Sequence, residues 1–394
     1  MTDKNNQVNI DKKLYPSFDN NYMAIAMSAS NEYVPYLSAC LQSIVDNTVK
    51  NKNYDIFVFT DAITPDNKDI LLEQIERDNI KLRFVDPSMV FKDINLHIAN
   101  QYYSKECYYR LSAPLLLEGF EKILFTDADL VFNKNFDEVF DMDISNFAYA
   151  AVKCPIIQSY LNNPASDIKT YLRDTIKLDD NFNYLNTGVL LINVSKFREN
   201  DIFNKCLELV AENKYRFQEQ CALSALSSKF WCKLPLKFNY TPMNTMWAND
   251  NVLEFMPKEI KQEFMETQKQ AVIVHYPGGY TKPWLKPDEK LAYIWWKYAR
   301  KSPFYEQILK NMYENSIKIK FNALNEQLAI SDIKKFNDIC AMLNLSKNLM
   351  KYWKYKILKN FVFGKTRQRY KNKKALYKEK IKQARQFINR DTVQ

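Results

Sequence analysis

Asp127-Ala128-Asp129 stands between two apolar runs, Ile123-Leu124-Phe125 before it, with Thr126 intervening, and Leu130-Val131-Phe132 after it. Short apolar runs bounded by turn signals read as buried strands. A buried strand that closes on two neighbouring carboxylates carries a large desolvation penalty unless positive charge meets them. The natural partner is a hard divalent cation that also holds phosphate oxygens, because Mg²⁺ and Mn²⁺ prefer oxygen ligands. The plainer alternative is a strand ending in a solvated Asp turn.

A second stretch could share that chemistry. His275-Tyr-Pro-Gly-Gly-Tyr-Thr-Lys-Pro-Trp284 holds one of the chain's two His and two of its five Gly, and it follows the apolar run Ala271-Val-Ile-Val274. A His at a strand end, followed by flexible backbone, suits a third metal ligand. Lys282 could then neutralise phosphate. A lone His is more often structural. His97, in Ile94-Asn-Leu-His-Ile-Ala99, is read that way, whereas the glycines and lysine beside His275 set it apart.

The elements that must position these residues alternate. Strands are expected at Met23–Met27, Tyr54–Phe59, Lys81–Val85, Ile123–Phe125, Val189–Asn193 and Ala271–Val274. Helical spacing is expected over Tyr33–Asn47, Asp66–Asp78 and Cys107–Leu117. Such alternation argues for an α/β fold, a mainly parallel sheet with helices on both faces. Ligands in such sheets sit beyond the carboxyl ends of the strands, where Asp127 and Asp129 lie. No Gly-rich phosphate loop is present, so neither a P-loop nor a dinucleotide fingerprint fits. Residues 1–20 read as a disordered lead, 21–300 as the catalytic domain and 301–394 as a helical, basic C-terminal region.

Composition narrows the class. The 394 residues are 46% hydrophobic, enough for a substantial core. Seven Cys, an odd number without metal-type pairs, read as reduced thiols of a cytoplasmic protein. The N-terminus lacks an apolar signal region, and no stretch approaches the ~18 apolar residues of a spanning helix. Charge is uneven. From Lys347 onward 16 Lys and Arg face only Glu379 and Asp391, a net +14 in a chain of +10, which leaves −4 for residues 1–346. A tail of this kind suits a polyanionic partner. Leu349, Trp353, Ile357 and Phe361 recur every fourth residue beside Met350, Leu358 and Val362, with Lys351, Lys354, Lys356 and Lys359 interleaved. That pattern points to an anionic membrane surface. Packing on the domain is the plainer alternative. Nucleic acid, suggested by Lys365-Thr-Arg-Gln-Arg-Tyr-Lys-Asn-Lys-Lys374, is the weaker reading.

In order along the chain, Ser30-Asn-Glu-Tyr33, Tyr109-Arg110-Leu111, Phe125-Thr-Asp-Ala-Asp-Leu-Val131, Leu185-Asn-Thr-Gly-Val-Leu-Leu-Ile-Asn193, Phe217-Gln-Glu-Gln-Cys221 and His275…Lys282-Pro-Trp284 resemble the family 8 retaining glycosyltransferases. Bacterial members that extend lipopolysaccharide or other surface glycans are the most similar in style. The resemblance spans roughly residues 22–300. It implies a GT-A fold, a UDP-hexose donor (glucose or galactose), Mn²⁺ or Mg²⁺, and a glycan or glycolipid acceptor. On this resemblance Asp127, Asp129 and His275 are the metal ligands. Ser28, Ser30, Asn31, Tyr33, Arg110, Asp127, Ala128, Asn186, Gly188, Gly278 and Lys282 line the donor. Glu219 and Gln220 hold the donor sugar, with Gln220 nearest the anomeric carbon.

A neutral amide is a poor nucleophile, so front-face attack through an ion-pair-like state is favoured over double displacement, with Glu219 as the reserve nucleophile. The sequence departs from the family at three places. Ser30 and Asn31 stand where an Asp often reads uracil, Glu219-Gln220-Cys221 replaces Asp-Gln-Asp, and the His275-to-Lys282 spacing is longer. Two rivals are a catalytically weak or dead glycan-binding relative and a phosphatase in which Asp127 of Asp127-x-Asp129-x-Val131 is the nucleophile. The phosphatase signature ordinarily opens its domain, and it leaves His275 and Lys282 unexplained. A membrane-docked enzyme acting on a lipid-linked glycan would be peripheral on the inner face of the cell membrane.

Overall fold

Met23 to Met27 are buried without interruption in strand β1 (Tyr22–Ser28), the pattern of a strand covered on both faces. The computed structural model describes residues 13–20, 22–99, 104–179, 182–279, 281–316, 347–356 and 364–390. β1 pairs in parallel with β2 (Asn53–Phe59) on one side and β4 (Lys122–Thr126) on the other, and β2 pairs in parallel with β3 (Ile80–Val85). The connections are helical. Helix α1 (Val34–Asn47) begins with Pro35 in its first turn and is buried from Val34 to Ile44. Helix α2 (Pro65–Ile75) is capped by Thr64, whose hydroxyl accepts from the Asn67 N–H. Helix α3 (Tyr109–Leu116) precedes β4.

Beyond β4 the direction reverses. β7 (Leu185–Asn193) lies antiparallel to β4, then come β6 (Tyr149–Lys153) and the short β8 (Trp231–Lys233), giving the order β3-β2-β1-β4-β7-β6-β8. The sheet is thus mixed, with its parallel half where the alternation predicts it. β6 and β8 are strands the sequence reading did not place. β7 starts earlier than expected, so Leu185-Asn-Thr-Gly188 is strand. β5 (Leu130–Phe132) and β9 (Ile273–His275) form a separate two-stranded antiparallel sheet in which Leu130 faces His275.

Ile25, Phe57, Leu124, Phe125 and Leu191 are fully buried, and each such side chain contributes about 1.5–3 kcal/mol of hydrophobic stabilisation. Within residues 13–20, Leu14 bridges Leu117, and Asp55 accepts from the Ser17 N–H at 2.7 Å. Residues 1–12, the rest of the expected lead, lie outside the described residues. Cys40, Cys107, Cys154, Cys206, Cys221 and Cys232 are all free thiols.

The chain divides into two compact units, Met1–Met312 and Tyr313–Gln394. In the second, residues 347–356 and Gly364–Arg390 are helical. Tyr355 stacks on Tyr377 with ring centres 5.8 Å apart. Lys351 lies over Tyr377, Lys373 over Tyr355 and Lys374 over Tyr352. Met350 and Trp353 are 63% and 50% exposed. Ile357, Leu358, Lys359, Phe361 and Val362 of the expected stripe lie outside the described residues. No helix among the described residues is long and apolar enough to cross a membrane.

Candidate active site

The site grows from the ends of three strands. β4 delivers Asp127, whose N–H donates to the Gly188 carbonyl of β7 at 2.8 Å. The β6–β7 register shifts between Ala151 and Val152, which pair with Leu190 and Asn186. That irregularity sits beside Thr187 and Gly188, the residues that turn toward the centre. Bulges are commonly found where a strand must re-aim its groups. β9 delivers His275, and β5 holds Leu130 against it. Asp127, Asp129 and His275 therefore converge, with one ligand atom from each lying within 4.8 Å of the others.

Gly188 makes this convergence possible. A Cβ at that position would lie 2.2 Å from His275 Cε1 and 2.9 Å from Asp127 Oδ2, so no side chain fits. His275 Nε2 is 3.1 Å from Asp129 Oδ1 and 3.5 Å from Asp127 Oδ2. Asp129 Oδ1 and His275 Nε2 are both buried without a hydrogen-bond partner. Buried polar atoms are rarely left so, and two that face each other fit a divalent cation held by carboxylate oxygens and an imidazole nitrogen.

Positive charge surrounds the carboxylates. The Arg110 guanidinium is buried, lying 2.5 Å from Asp127 Oδ1 and 3.2 Å from Glu219 Oε1, and it also donates to the Thr187 carbonyl. Lys282 donates to Asp129 and, at 3.1 Å, to the Tyr276 carbonyl. Burial alone would raise the Asp129 pKa, but the Lys282 ammonium beside it holds it well below the usual carboxylate range. Burial pushes Glu219 up to about 7, because the opposing pull of Arg110 only partly offsets it. Burial, then Asp129 and Asp127, raise the Tyr33 phenol, which places its ring within the field of both carboxylates.

The other expected donor residues fall into two groups. Tyr33, Ala128, Asn186 and Lys282 gather around the carboxylates, and Gly278 lies in the loop between His275 and Lys282. Tyr33 packs edge-on against Trp284 at 5.8 Å, and Lys282 lies over the same indole. Gly278 adopts φ +99, open to glycine and strained for other residues. Ser28, Ser30 and Asn31 sit at the end of β1 and are tied elsewhere. Ser28 donates to the Glu106 carbonyl at 2.8 Å, Asn31 Oδ1 accepts from Thr64 N and Asn67 Nδ2, and Ser30 starts a single 3₁₀ turn.

Glu219 and Gln220 open the helix Gln218–Ala225. Glu219 is buried, whereas Gln220 is half-buried. The Gln220 amide is fixed at both ends: its oxygen accepts from Thr187 N at 3.2 Å and its nitrogen donates to the Tyr184 hydroxyl at 3.1 Å. Cys221, where the family has an acid, touches the hydroxyls of Tyr184 and Tyr171. Asn239 and Tyr184 were not anticipated. Asn239 hydrogen-bonds both Asn186 and His275. The one available signal for it was a lone Asn among the apolar residues of Leu236-Lys-Phe238-Asn-Tyr240.

Comparison with known proteins identifies the fold and the family. A "putative glycosyltransferase" of Haemophilus influenzae is 28% identical over 269 residues, covering 67% of this chain and 73% of the relative. The structure of the bifunctional glycosyltransferase WbbM superposes with a TM-score of 0.67 at 24% identity, over 76% of this chain and 53% of that one, so the chain spans only about half of WbbM. The galactosyltransferase LgtC, solved with donor and acceptor sugar analogues, superposes with a TM-score of 0.58 at 22% identity, over 71% of this chain and 96% of that one. These two likenesses establish the GT-A fold. Residues 24–288 match the model of glycosyl transferase family 8, and the chain belongs to that family.

Proposed function

We propose that this protein is a metal-dependent retaining hexosyltransferase that moves glucose or galactose from a UDP-sugar to a hydroxyl of a bacterial surface glycan such as lipopolysaccharide. The observation that carries this reading is the buried, partnerless pair of Asp129 Oδ1 and His275 Nε2 beside Asp127, rimmed by Lys282 and Arg110. Asp127, Asp129 and His275 would hold Mn²⁺ or Mg²⁺. Such an ion supplies Lewis-acid stabilisation of charge on a departing diphosphate.

Lys282 is placed to swing from Asp129 to a phosphate oxygen and to add a point charge there. Arg110, 2.5 Å from Asp127 Oδ1, aims that carboxylate. Asn186 would offer its side-chain NH₂ to the donor sugar, and Gly188, without a side chain, would let the sugar come close to the backbone. The Gln220 carbonyl accepts from the Thr187 N–H at 3.2 Å and from the Thr187 hydroxyl at 3.5 Å, contacts that fix it as the group that would face developing positive charge at the anomeric carbon. Glu219 is buried and held to Arg110, which suits a supporting role over a nucleophilic one. In the proposed step the bond from the anomeric carbon to the phosphate oxygen breaks. The acceptor oxygen bonds to that carbon on the same face, and its proton passes to the departing phosphate oxygen of UDP.

A thermal-shift screen of UDP-sugars with Mn²⁺ tests the reading, followed by NMR of the anomeric configuration in the product. No stabilisation by any UDP compound would sink it. An inverted product, or a sugar trapped covalently on Glu219, would overturn the mechanism alone.

The tail supports a peripheral location on the inner face of the membrane. Exposed Met350 and Trp353 stand beside Lys347, Lys351 and Lys354 on one short helix, the composition of a surface that meets anionic lipid. If truncation after residue 345 leaves binding to anionic liposomes unchanged, the docking idea fails.

A further inference from the structure

Imidazole binds a cation only through a nitrogen lone pair, and the partner of the other nitrogen decides which one is free. At His275 that partner is Asn239, whose side-chain oxygen lies 2.9 Å from Nδ1. An amide can present either its oxygen or its NH₂, so the orientation of Asn239 is the first question.

A chain of three hydrogen bonds answers it, starting from a group that cannot be reversed. The backbone N–H of Gly188 can only donate, so the Asn186 side-chain atom 2.9 Å away is its oxygen. That same oxygen, at 3.0 Å, and the Asn186 main-chain carbonyl, at 3.3 Å, both face one end of the Asn239 amide. Two acceptors demand a donor, so that end is the NH₂ and the opposite end is Oδ1. Oδ1 can only accept, so His275 Nδ1 carries a proton, and in the neutral ring Nε2 keeps its lone pair. Nε2 points at Asp129 Oδ1 and Asp127 Oδ2, where it has no donor. Asn239 is itself 1% exposed, so water does not compete for its amide.

We infer that Asn239, oriented by Asn186 and the Gly188 N–H, is a positioning residue that holds His275 in the Nδ1–H tautomer and so reserves Nε2 for the cation. The inference rests on the metal reading of the site, but the tautomer exists without the metal and is measured separately. Gly188 thereby acts twice, since its missing side chain admits His275 and its N–H sets the ring's tautomer.

The chain has only two His, so ¹⁵N-histidine labelling gives a spectrum of two imidazoles, and His97→Gln assigns them. In metal-free wild type the neutral His275 ring is expected to show Nδ1 with a protonated shift and Nε2 with an unprotonated one. Asn239→Asp keeps an acceptor that cannot donate, and the same tautomer is expected. Asn239→Leu removes the acceptor. Its imidazole should lose the fixed tautomer, and the free-Mn²⁺ electron paramagnetic resonance signal should report about tenfold to hundredfold weaker binding.

A neutral ring with its proton on Nε2 and Nδ1 bare, in metal-free wild type, overturns the inference. So does a folded Asn239→Leu protein with unchanged tautomer and unchanged Mn²⁺ affinity. Should Asn239→Leu fail to fold, the wild-type and Asn239→Asp spectra decide, and a neutral ring with Nδ1 bare in either overturns the inference. Wild type with the Nδ1–H tautomer but no Mn²⁺ affinity upholds the orientation and refutes the metal reading instead.

Discussion

The centre at the ends of β4, β7 and β9 and the helical pair of residues 347–356 and Gly364–Arg390 both concentrate charge, but in opposite ways. At the centre, Arg110, Asp127, Asp129 and Glu219 are wholly or largely removed from water, and each has a fixed partner. In the tail, Lys351, Lys373 and Lys374 lie on tyrosine faces near the surface, and Trp353 is half exposed. Desolvated charges in rigid geometry select a small ion or ligand by position. Exposed charges on a short aromatic helix respond to the summed potential of a surface. The contrast teaches that the two regions should differ in the size of single-residue effects and in their sensitivity to salt.

The largest test of that contrast is Asp129→Asn. It leaves Lys282 and His275 without their carboxylate, and Mn²⁺-dependent transfer should fall about 10³-fold, a loss of several kcal/mol in transition-state stabilisation, read as kcat/KM with UDP-hexose. The loss should persist in high salt.

Glu219→Gln gives the next largest effect, and its sign depends on pH. Burial raises Glu219 from its ordinary 4.5 to about 7, so the folded chain holds a proton that the unfolded chain has released. The stability this confers is complete below about pH 4.5 and is lost as pH rises through 7. The amide mimics the protonated form. Urea denaturation should find the variant more stable than wild type by up to roughly 3 kcal/mol at pH 8 and equal to it near pH 4.5. A constant difference across that range would show that Glu219 is not held in the buried state described.

Gly188→Ala follows. Its Cβ would overlap His275 Cε1, and a stability loss of about 1–3 kcal/mol is expected with weaker Mn²⁺ binding, checked by thermal melts with and without the ion. The smallest effect belongs to the tail. Lys354→Ala should weaken binding to anionic vesicles by about fivefold, near 1 kcal/mol, and the difference should vanish in high salt while transfer to a soluble acceptor is unchanged. A tail effect as large and as salt-resistant as that of Asp129→Asn would break the comparison.

Much of the centre was legible because its chemistry is concentrated in rare residues. One of two His, two of five Gly and a pair of carboxylates at a strand end stand out in this composition. The parallel strands were legible as apolar runs. β6 escaped because Tyr149-Ala-Ala-Val152 is short and alanine-rich, with little strand preference, and β8 because it has three residues. The reversal at β7 was hidden for a different reason. A fully buried strand carries the same apolar run in either direction, so its sense is set by the sheet and not by its own residues. Asn239 escaped because an asparagine in a short turn is ordinary. Its meaning lies in Asn186 and His275, which are distant in the chain. The coupling of Arg110 to both Asp127 and Glu219 is likewise a property of folded geometry.

The pairing of β5 with β9 has a kinetic meaning. Asp129 and Lys282 are 153 residues apart in the chain, so the centre forms only when a very long loop has closed. Long-range contacts of this kind are slow to form, because the closure entropy is lost before any contact rewards it. The parallel strands β1 to β3 can assemble without β9. A chain arrested at that stage would carry three of the seven strands of its main sheet and no site. Any ligand gripping both carboxylates and the 275–282 loop would therefore slow unfolding far more than it would hasten folding. Resistance to proteolysis would then report occupancy of the site.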